Sequence, residues 1–510
     1  MSGGPSILTT AISHRSDRAS HSLFLENSLL FTFAMHALGI VSMALLLLPG
    51  MPGGGTVDDS MRIHYIASHP WGWRIGWIPW QLTALSDLLL GIALIRTKWI
   101  PKIPAILTAL VTLAAVIPDQ VGQIAWITKG IELAQKDPAA YSNFEQRIFP
   151  WTAAWGATLY CFGALGWTWC FVAAKTWSRF LTLLSCVLWP LFFAVCLGPF
   201  FGMPSVIVAA GNGIGFFLLE LWFILVAEEV FRRWRPETEY GRYSRWRHPK
   251  YSIYNSIANS HFLRAWGELL PTIAFRSDIR DVIYVNYIVD AERLQSLVPE
   301  GLELQRIGPH EEYALFTFLT YRHGNFGPRF LGPLRRLLPS PIQSNWRIHV
   351  VDPRNGHRGI YFVSTAISST IHALSARLLS EGVSMHVLQK AEVNGTRVFL
   401  DPGSGTAPDC EAMLQPIDLP LDGPWSRCFD TWHDFLAYAV PQDRAMSTQA
   451  WRNRVTRQEI QLGIPLDICQ PMTGKVFSRS ATNIVGNAEP FCFRVPHVQF
   501  LFDREEYDRL

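Results

Sequence analysis

The sequence lacks the short signatures that announce chemistry most directly. Its eight cysteines never fall in a CxxC spacing, which excludes a zinc ribbon and a thioredoxin-type redox motif. Cys161, Cys170, Cys186 and Cys196 lie in apolar runs, and Cys410, Cys428, Cys469 and Cys492 are scattered through the second half, the pattern of reduced, packed thiols. "CFDTWHD" sets Cys428 near His433, but no second pair at ligand spacing accompanies it, so no metal is expected. No GxxxxGK[ST] loop and no GxSxG elbow occurs, so P-loop nucleotide binding and α/β-hydrolase chemistry are not indicated. No cofactor is expected.

Charge is scarce as well. Only 17% of the 510 residues are charged, and they concentrate after about Ala227. Six apolar runs precede that point: Ser28 to Leu48, Trp77 to Ile95, Ile103 to Ile117, Thr152 to Ala173, Phe180 to Leu197 and Ser205 to Ala227. Crossing a bilayer core takes about 20 helical residues. The third run reaches that length by continuing through "PDQVGQIAWI" with Pro118 as a kink. The first run has no small-residue cleavage site behind it and reads as a retained anchor. The loops "RTKWIPK" (Arg96, Lys98, Lys102) and "AAKTWSR" (Lys175, Arg179) are basic, while "GPFFGMP" is uncharged. The positive-inside rule then places the N- and C-termini in the cytoplasm. The expected organisation is a tail over 1–27, a six-helix transmembrane domain over 28–227, a connector over 228–275 and a cytosolic domain over 276–510.

The connector begins "EEVFRRWRPETEYGRYSRWRHPK", Glu228 to Lys250, where arginines alternate with Trp and Tyr. Next to a membrane span, such residues match anionic headgroups and the interface, so membrane lipids are the expected partner. A net charge of +3 gives no reason to invoke nucleic acid. Within the apolar runs His36, Asp87, Asn212 and Glu220 stand out, with Asp119, Gln120 and Gln123 near the end of the third. Ionisable groups there face a bundle interior, either as a proton or ion relay or as buried hydrogen bonds. "GNGIG", from Gly211 to Gly215, reads as close helix packing. No repeat relates the first three runs to the last three, which weighs against a transporter.

Past the connector the periodicity changes to that of strands: "DVIYVNYIV", "YALFTFLTY", "WRIHVVD" and "GIYFVSTAIS" are β-branched and aromatic with partial alternation. "AERLQSLV" and "STIHALSARLLSEG" read as helices. "VSMHVLQKAEV" and "TRVFLD" form a hairpin across Asn394 and Gly395, and "WHDFLAYAV" is a helix ahead of strands "GKVFS", "FCFRV" and "VQFLF". The fold class is α+β, dominated by antiparallel sheet.

The order "IRDVIYVNYIVDAERLQSLVPEGLEL", "EYALFTFLTYR", "NWRIHVVD", "RGIYFVSTAISS", "ALSARLLSEG", "TWHDFLAYAV" resembles the uncharacterised bacterial family related to acetoacetate decarboxylase, over about Asp278 to Phe502. The resemblance implies a closed, cone-like β-barrel with flanking helices and an internal apolar pocket, here on an integral multi-pass protein of a bacterial inner membrane. In such enzymes a reactive lysine, activated by a nearby cation, follows the helix ending in the "AR" segment, with a proline before it and a second lysine beside it. The matching positions, Val383 to Met385, hold neither lysine nor proline. Lys390 lies farther along, and Glu392 on its strand face raises an amine's pKa, so Schiff-base chemistry is not expected. Ser384 and His386 occupy the neighbourhood of the family's reactive group, and Arg347, His349 and Arg377 are candidates to hold a carboxylate or carbonyl, with Glu381 a weaker one. The expected function is binding or sensing of a small hydrophobic acid, ketone or lipid-derived molecule. The alternatives are an enzyme acting on a carbonyl or carboxylic substrate without a Schiff-base lysine, and a transporter or proton-coupled channel with a cytosolic regulatory domain if Asp87 and Glu220 face one cavity. Homo-oligomer formation is left open.

Overall fold

The structure is a computed structural model that describes residues 7–52, 58–97, 99–232, 252–270, 273–379, 385–418, 420, 422–441, 444–449 and 454–509. The chain divides into two compact units, Met1–Trp234 and Arg235–Leu510. Ser384, Glu381 and most of the expected basic connector lie outside the described residues.

The first unit is helical: α1 (Ile7–Ser42), α2 (Asp59–Ser68), α3 (Pro70–Arg96), α4 (Lys102–Ala125), α5 (Ile131–Lys136), α6 (Pro138–Pro150), α7 (Ala157–Ala173), α8 (Arg179–Leu197) and α9 (Ser205–Phe231). Five helical stretches are long and apolar enough to cross a membrane: Leu23–Gly50, Pro70–Arg96, Lys102–Lys136, Pro138–Ala173 and Arg179–Leu197. The sixth expected run forms the 27-residue helix α9. α4 runs unbroken through Pro118. The segment after it, which mixes Lys129, Lys136 and Arg147 with Glu132, Asp137 and Glu145, is largely helical, as α5 and α6, and Asp137 caps α6 by accepting from the Ala140 amide. Large apolar side chains point out of the bundle, among them Ile103, Leu110 and Ile117 of α4. Small residues do the packing: Gly163 and Gly166 of α7 sit against Thr112 and Thr108 of α4, where an added Cβ would collide, the close approach that small residues permit between apolar helices.

The second unit holds fourteen strands among the described residues. They are β1 (Phe275–Asp290), β2 (Glu303–Leu304), β3 (Tyr313–Arg322), β4 (Gly327–Pro328), β5 (Ile342–Asp352), β6 (His357–Ile367), β7 (Met385–Val387), β8 (Lys390–Val393), β9 (Arg397–Asp401), β10 (Cys410–Pro416), β11 (Arg444–Gln449), β12 (Arg454–Leu462), β13 (Gln470–Phe477) and β14 (Phe491–Arg509). The helices are α10 (Ser252–Ala258), α11 (His261–Gly267), α12 (Ala291–Gln295), α13 (Thr370–Leu379), α14 (Trp432–Ala439) and α15 (Arg479–Val485). The path β1-β3-β5-β6-β11-β12-β14 is continuous, and β1 also pairs β14 along its other edge. Most pairings are antiparallel, as expected, but β6 runs parallel to β7 and to β11.

Alternation along these strands builds two cores. Ile283, Val285, Phe316, Phe318, Trp346 and Ile348 face a layer made by β8, β9, β10, β13 and α15. The opposite face carries Tyr284, Leu315, Leu319, Tyr321, Phe493 and Val495, packed against Phe435 and Leu436 of α14. A capping box, Thr431 with Asp434, fixes the start of α14 by satisfying its first free amides.

Two details differ from the sequence reading. "FCFRV" and "VQFLF" belong to one 19-residue strand, β14, although Pro496 between them cannot donate to a ladder. The partner strand absorbs this: Arg280 pairs His497 and Val282 pairs Val495, leaving Asp281 opposite the proline at φ 55°. The second difference is that "VSMHVLQKAEV" is not one strand. β7 follows β6 and β8 pairs β9, with the chain turning at Leu388 and Gln389.

Candidate functional site

The second face of the sheet encloses a cavity of about 430 Å³, within the size range of small-molecule sites. Strand residues Ile279, Val282, Leu319, Phe362, Ile460 and Val498 give it an apolar wall. The bulge at Asp281 matters here, because it resets the alternation so that Ile279 and Val282 both face inward. The carboxylate of Asp281 accepts from Arg494 Nη2 at 2.7 Å, which holds the bulge in place. One end is bounded by the loop helix Arg329–Leu337, by Gly267 and Leu270, and by α13 through Ile371, His372, Ser375, Ala376 and Leu379. Only glycine fits at 267, since a Cβ there would run into the Leu378 carbonyl oxygen of α13.

A line of neutral polar groups crosses this apolar wall. Ser277 Oγ lies 2.8 Å from His323 Nδ1, and His323 Nε2 lies 2.8 Å from Gln343 Oε1. Gln343 Nε2 donates to Asn345 Oδ1 at 2.8 Å, and Asn345 Nδ2 donates to the Tyr321 hydroxyl at 3.1 Å. An amide oxygen only accepts, so His323 carries its proton on Nε2 and accepts at Nδ1. Burial pushes the His323 pKa down to about 3 against the opposing bond to Gln343, keeping the ring neutral. From His323 to Tyr321 every donor therefore points the same way, while Ser277 Oγ, at the start of the row, also lies 3.3 Å from the Gly324 carbonyl oxygen. The Tyr321 proton has no acceptor among the described residues, and Tyr321 lines the cavity. The chain thus ends in a hydroxyl donor, polarised by the bonds behind it.

The sequence candidates lie elsewhere. Arg347 and His349 continue the Gln343–Asn345 row of β5 but sit at the opposite end, under α14. Arg347 is fully buried, its Nη2 donates to the Ala439 carbonyl at 3.2 Å and its guanidinium stands 5.5 Å from the Tyr284 ring centroid. Its Nε and Nη1 have no hydrogen-bond partner, and burial brings its pKa down to about 10. His349 stacks on Tyr438 of α14 at 4.7 Å, and burial, with the Arg347 charge second, pushes its pKa down to about 3. Arg377 is buried on α13, donating to Asn259 at 3.3 Å. His386 is buried with its Nδ1 3.0 Å from Thr406 Oγ1, while its neighbour Met385 faces the cavity. None of the four lines the cavity. Lys390 is exposed on β8 and does not line it either.

Tyr321, His323, Gln343, Asn345 and Gln458 are among the polar residues of the cavity that the sequence does not single out, as are Tyr284, Thr365, His372 and Ser375. A signal exists for three of them: in "IQSNWRIHVV" every second residue from Gln343 to His349 is polar, with Ser344, Trp346 and Ile348 between them, and Tyr321 lies near the end of the neighbouring strand. Gln458 and Ile460 come from β12, whose sequence "RVTRQEIQL" is too polar to announce a strand that is buried on one face.

In the first unit, His36 Nε2 lies 4.0 Å from Asp87 Oδ2 and His36 Nδ1 lies 2.9 Å from the Thr32 carbonyl. Asp119 accepts from Gln123 at 2.9 Å and from the Tyr160 hydroxyl at 3.4 Å, and it interacts electrostatically with Asp87. The structure thus gathers His36, Asp87, Asp119 and Tyr160 from α1, α3, α4 and α7. Glu220 on α9 is joined to none of them by a hydrogen bond, and its carboxylate oxygens are buried without a partner.

Residues 276–390 match the family DUF2071, described as an uncharacterized conserved protein. No curated protein is a significant sequence match to the chain. Among solved structures, acetoacetate decarboxylase from Legionella pneumophila is similar at 13% identity and a TM-score of 0.32, covering 47% of this chain and 88% of that one. The enduracididine biosynthesis enzyme MppR complexed with pyruvate is similar at 12% identity and a TM-score of 0.31, covering 47% and 91%. An acetoacetate decarboxylase-like enzyme from Sphingomonas wittichii RW1 is similar at 8% identity and a TM-score of 0.29, covering 47% and 95%.

Proposed function

We propose that the second unit is a closed β-barrel that binds a small amphiphile, a hydrophobic acid, ketone or lipid-derived molecule, and that the first unit anchors it in a membrane with six crossings. The observation that carries the reading is the one-way chain of hydrogen bonds that ends on the Tyr321 hydroxyl inside an apolar cavity. A donor at that place selects an acceptor, the oxygen of a carbonyl or carboxylate, and the surrounding Ile, Leu, Val and Phe select a hydrocarbon or aromatic body. Closure of the barrel is supported by the partners on both edges of β1. The sixth crossing is α9, whose Val206, Ile207 and Phe217 are exposed. The basic loops at Arg96 and Lys175 then put the second unit in the cytoplasm, with the 228–250 segment against anionic headgroups.

Binding is favoured over catalysis because the histidines that line the cavity are held in hydrogen bonds of their own, His372 through Nδ1 at 2.8 Å from Ser369 Oγ. No lysine lines it among the described residues. Both nitrogens of His323 are engaged, with Ser277 and Gln343.

The test is native mass spectrometry of the full-length protein released from detergent micelles. A small-molecule adduct is expected on the wild type, reduced in Tyr321→Phe and absent in Leu319→Trp, which fills the cavity. A reproducibly empty protein, or an adduct indifferent to both changes, overturns the reading. Turnover of the adducted compound class by purified protein would move the assignment to an enzyme.

A further inference from the structure

The mouth of the cavity is more apolar on its outside than a soluble domain needs. Six of the eleven large apolar side chains exposed in the second unit lie on the segments that frame it: Leu269 56%, Leu270 55%, Phe330 75%, Leu334 60%, Leu337 83% and Ile371 67%, among the described residues. Leu270 and Ile371 also line the cavity, so the apolar lining reaches the outer surface at both residues. Exposed apolar patches of this kind mark interaction sites.

The loop helix Arg329–Leu337 shows how this rim is built. Leu331 and Leu338 turn inward to the cavity, which leaves Phe330, Leu334 and Leu337 on the outside with Arg329 and Arg336 exposed between them. The segment is pinned in this orientation: Arg335 donates to the Asn325 carbonyl at 2.8 Å, and the Arg329 amide donates to the Ala274 carbonyl at 2.7 Å. Arg329 to Ser340 contains no acidic residue, nor does α13.

We infer that this rim is a membrane-seating surface, inserting Phe330, Leu334 and Leu337 below the headgroups while Arg329 and Arg336 meet lipid phosphates, so that the cavity loads from the bilayer. Interleaved large aliphatic, aromatic and arginine side chains are the composition of an interfacial segment. A second copy of the chain is a poorer occupant, because a two-fold interface sets the same patch against itself and would bring Arg329 and Arg336 towards their own copies. The proximity needed is supplied by the chain itself, since only residues 232–251 separate α9 from α10. A ligand entering this way keeps its hydrocarbon out of water throughout. The inference rests on the proposed membrane crossing of the first unit, and the experiment separates the two.

The full-length protein is reconstituted in liposomes of phosphatidylglycerol and phosphatidylcholine, carrying a genetically encoded benzophenone at one position at a time. Position 337 reports the rim, position 477 is an exposed apolar site of the same unit away from the mouth (Phe477, 65% exposed), and position 110 reports the span (Leu110, 54% exposed). After irradiation, lipid adducts are counted by mass spectrometry. Adducts at 337 approaching those at 110 and at least fivefold above those at 477 are expected, with a severalfold fall in Arg329→Gln/Arg336→Gln that disappears in pure phosphatidylcholine. Lipid adducts at 110 but only background or protein cross-links at 337 overturn the membrane-seating rim and leave the spans intact. Failure at 110 overturns the spans, and this inference with them.

Discussion

Two ends of the same sheet face handle polarity in opposite ways. At the cavity end, Ser277, His323, Gln343, Asn345 and Tyr321 are all neutral and satisfy one another in sequence. At the α14 end, one strand repeat farther along β5, Arg347 brings a charge into the interior beside the Ala439 carbonyl and Tyr284, with no acid as its partner among the described residues. The first arrangement leaves a single donor for a guest. The second sits under a helix and does not line the cavity, so a strong charge in a fold's interior is not by itself the mark of its site.

Tyr284 separates the two ends: it lines the cavity, stacks on Phe493 at 4.3 Å and lies beneath Arg347. Tyr284→Ala extends the cavity towards Arg347 and is expected to cost roughly 3–5 kcal/mol of stability, as large aromatic truncations do. Chemical denaturation of the full-length protein in detergent measures it, and a loss under about 1 kcal/mol would mean that the ends are not separated by this ring.

Acid should act on both ends alike. His323 and His349 have folded pKa values near 3, below the ordinary 6.5, so protonation favours the unfolded chain. Their contribution is complete above pH 6.5 and is lost as pH falls from there toward 3, by about 1.4 kcal/mol per histidine per pH unit. His323→Asn removes the cavity-end share of this slope between pH 6.5 and 5, and His349→Asn the other; a slope unchanged in either variant contradicts that ring's neutral burial.

Smaller effects distinguish the ends further. Tyr321→Phe removes the terminal donor and is expected to weaken ligand binding about tenfold, on the order of one hydrogen bond; calorimetry with the compound identified by mass spectrometry reads it, and equal affinity refutes the head-group assignment. Arg347→Met exchanges a buried charge for an apolar side chain of similar reach. It is expected to change stability by less than about 1 kcal/mol or to raise it, with ligand affinity unchanged. A large loss of affinity would return Arg347 to the site.

Much of the architecture was legible because period and turn chemistry decide it locally. The strands around Tyr284, Leu319 and Trp346 alternate clearly, and Asn394–Gly395 makes its hairpin through Gly395 at φ 84° and the Asn394 side chain accepting from the Arg397 amide at 2.9 Å. What escaped is tertiary. Alternation assigns Met385 and His386 to opposite faces without saying which face meets the cavity. Arg347 and Asn345 share a face, and only the position of α14 decides which one is plugged. The Asp281 bulge depends on a proline more than two hundred residues away in the sequence, on a strand that sequence splits in two.

That distant strand sets a schedule as well as a shape. Asn286 of β1 pairs with Phe491 of β14 across 205 residues of chain, so one edge of β1 emerges from the ribosome long before its partner exists. Loop closure over such spans makes folding slow, and an apolar edge waiting unpaired is a template for aggregation. The cost of this topology is therefore paid in time: the edge of β1 closes only when the last strand has been made.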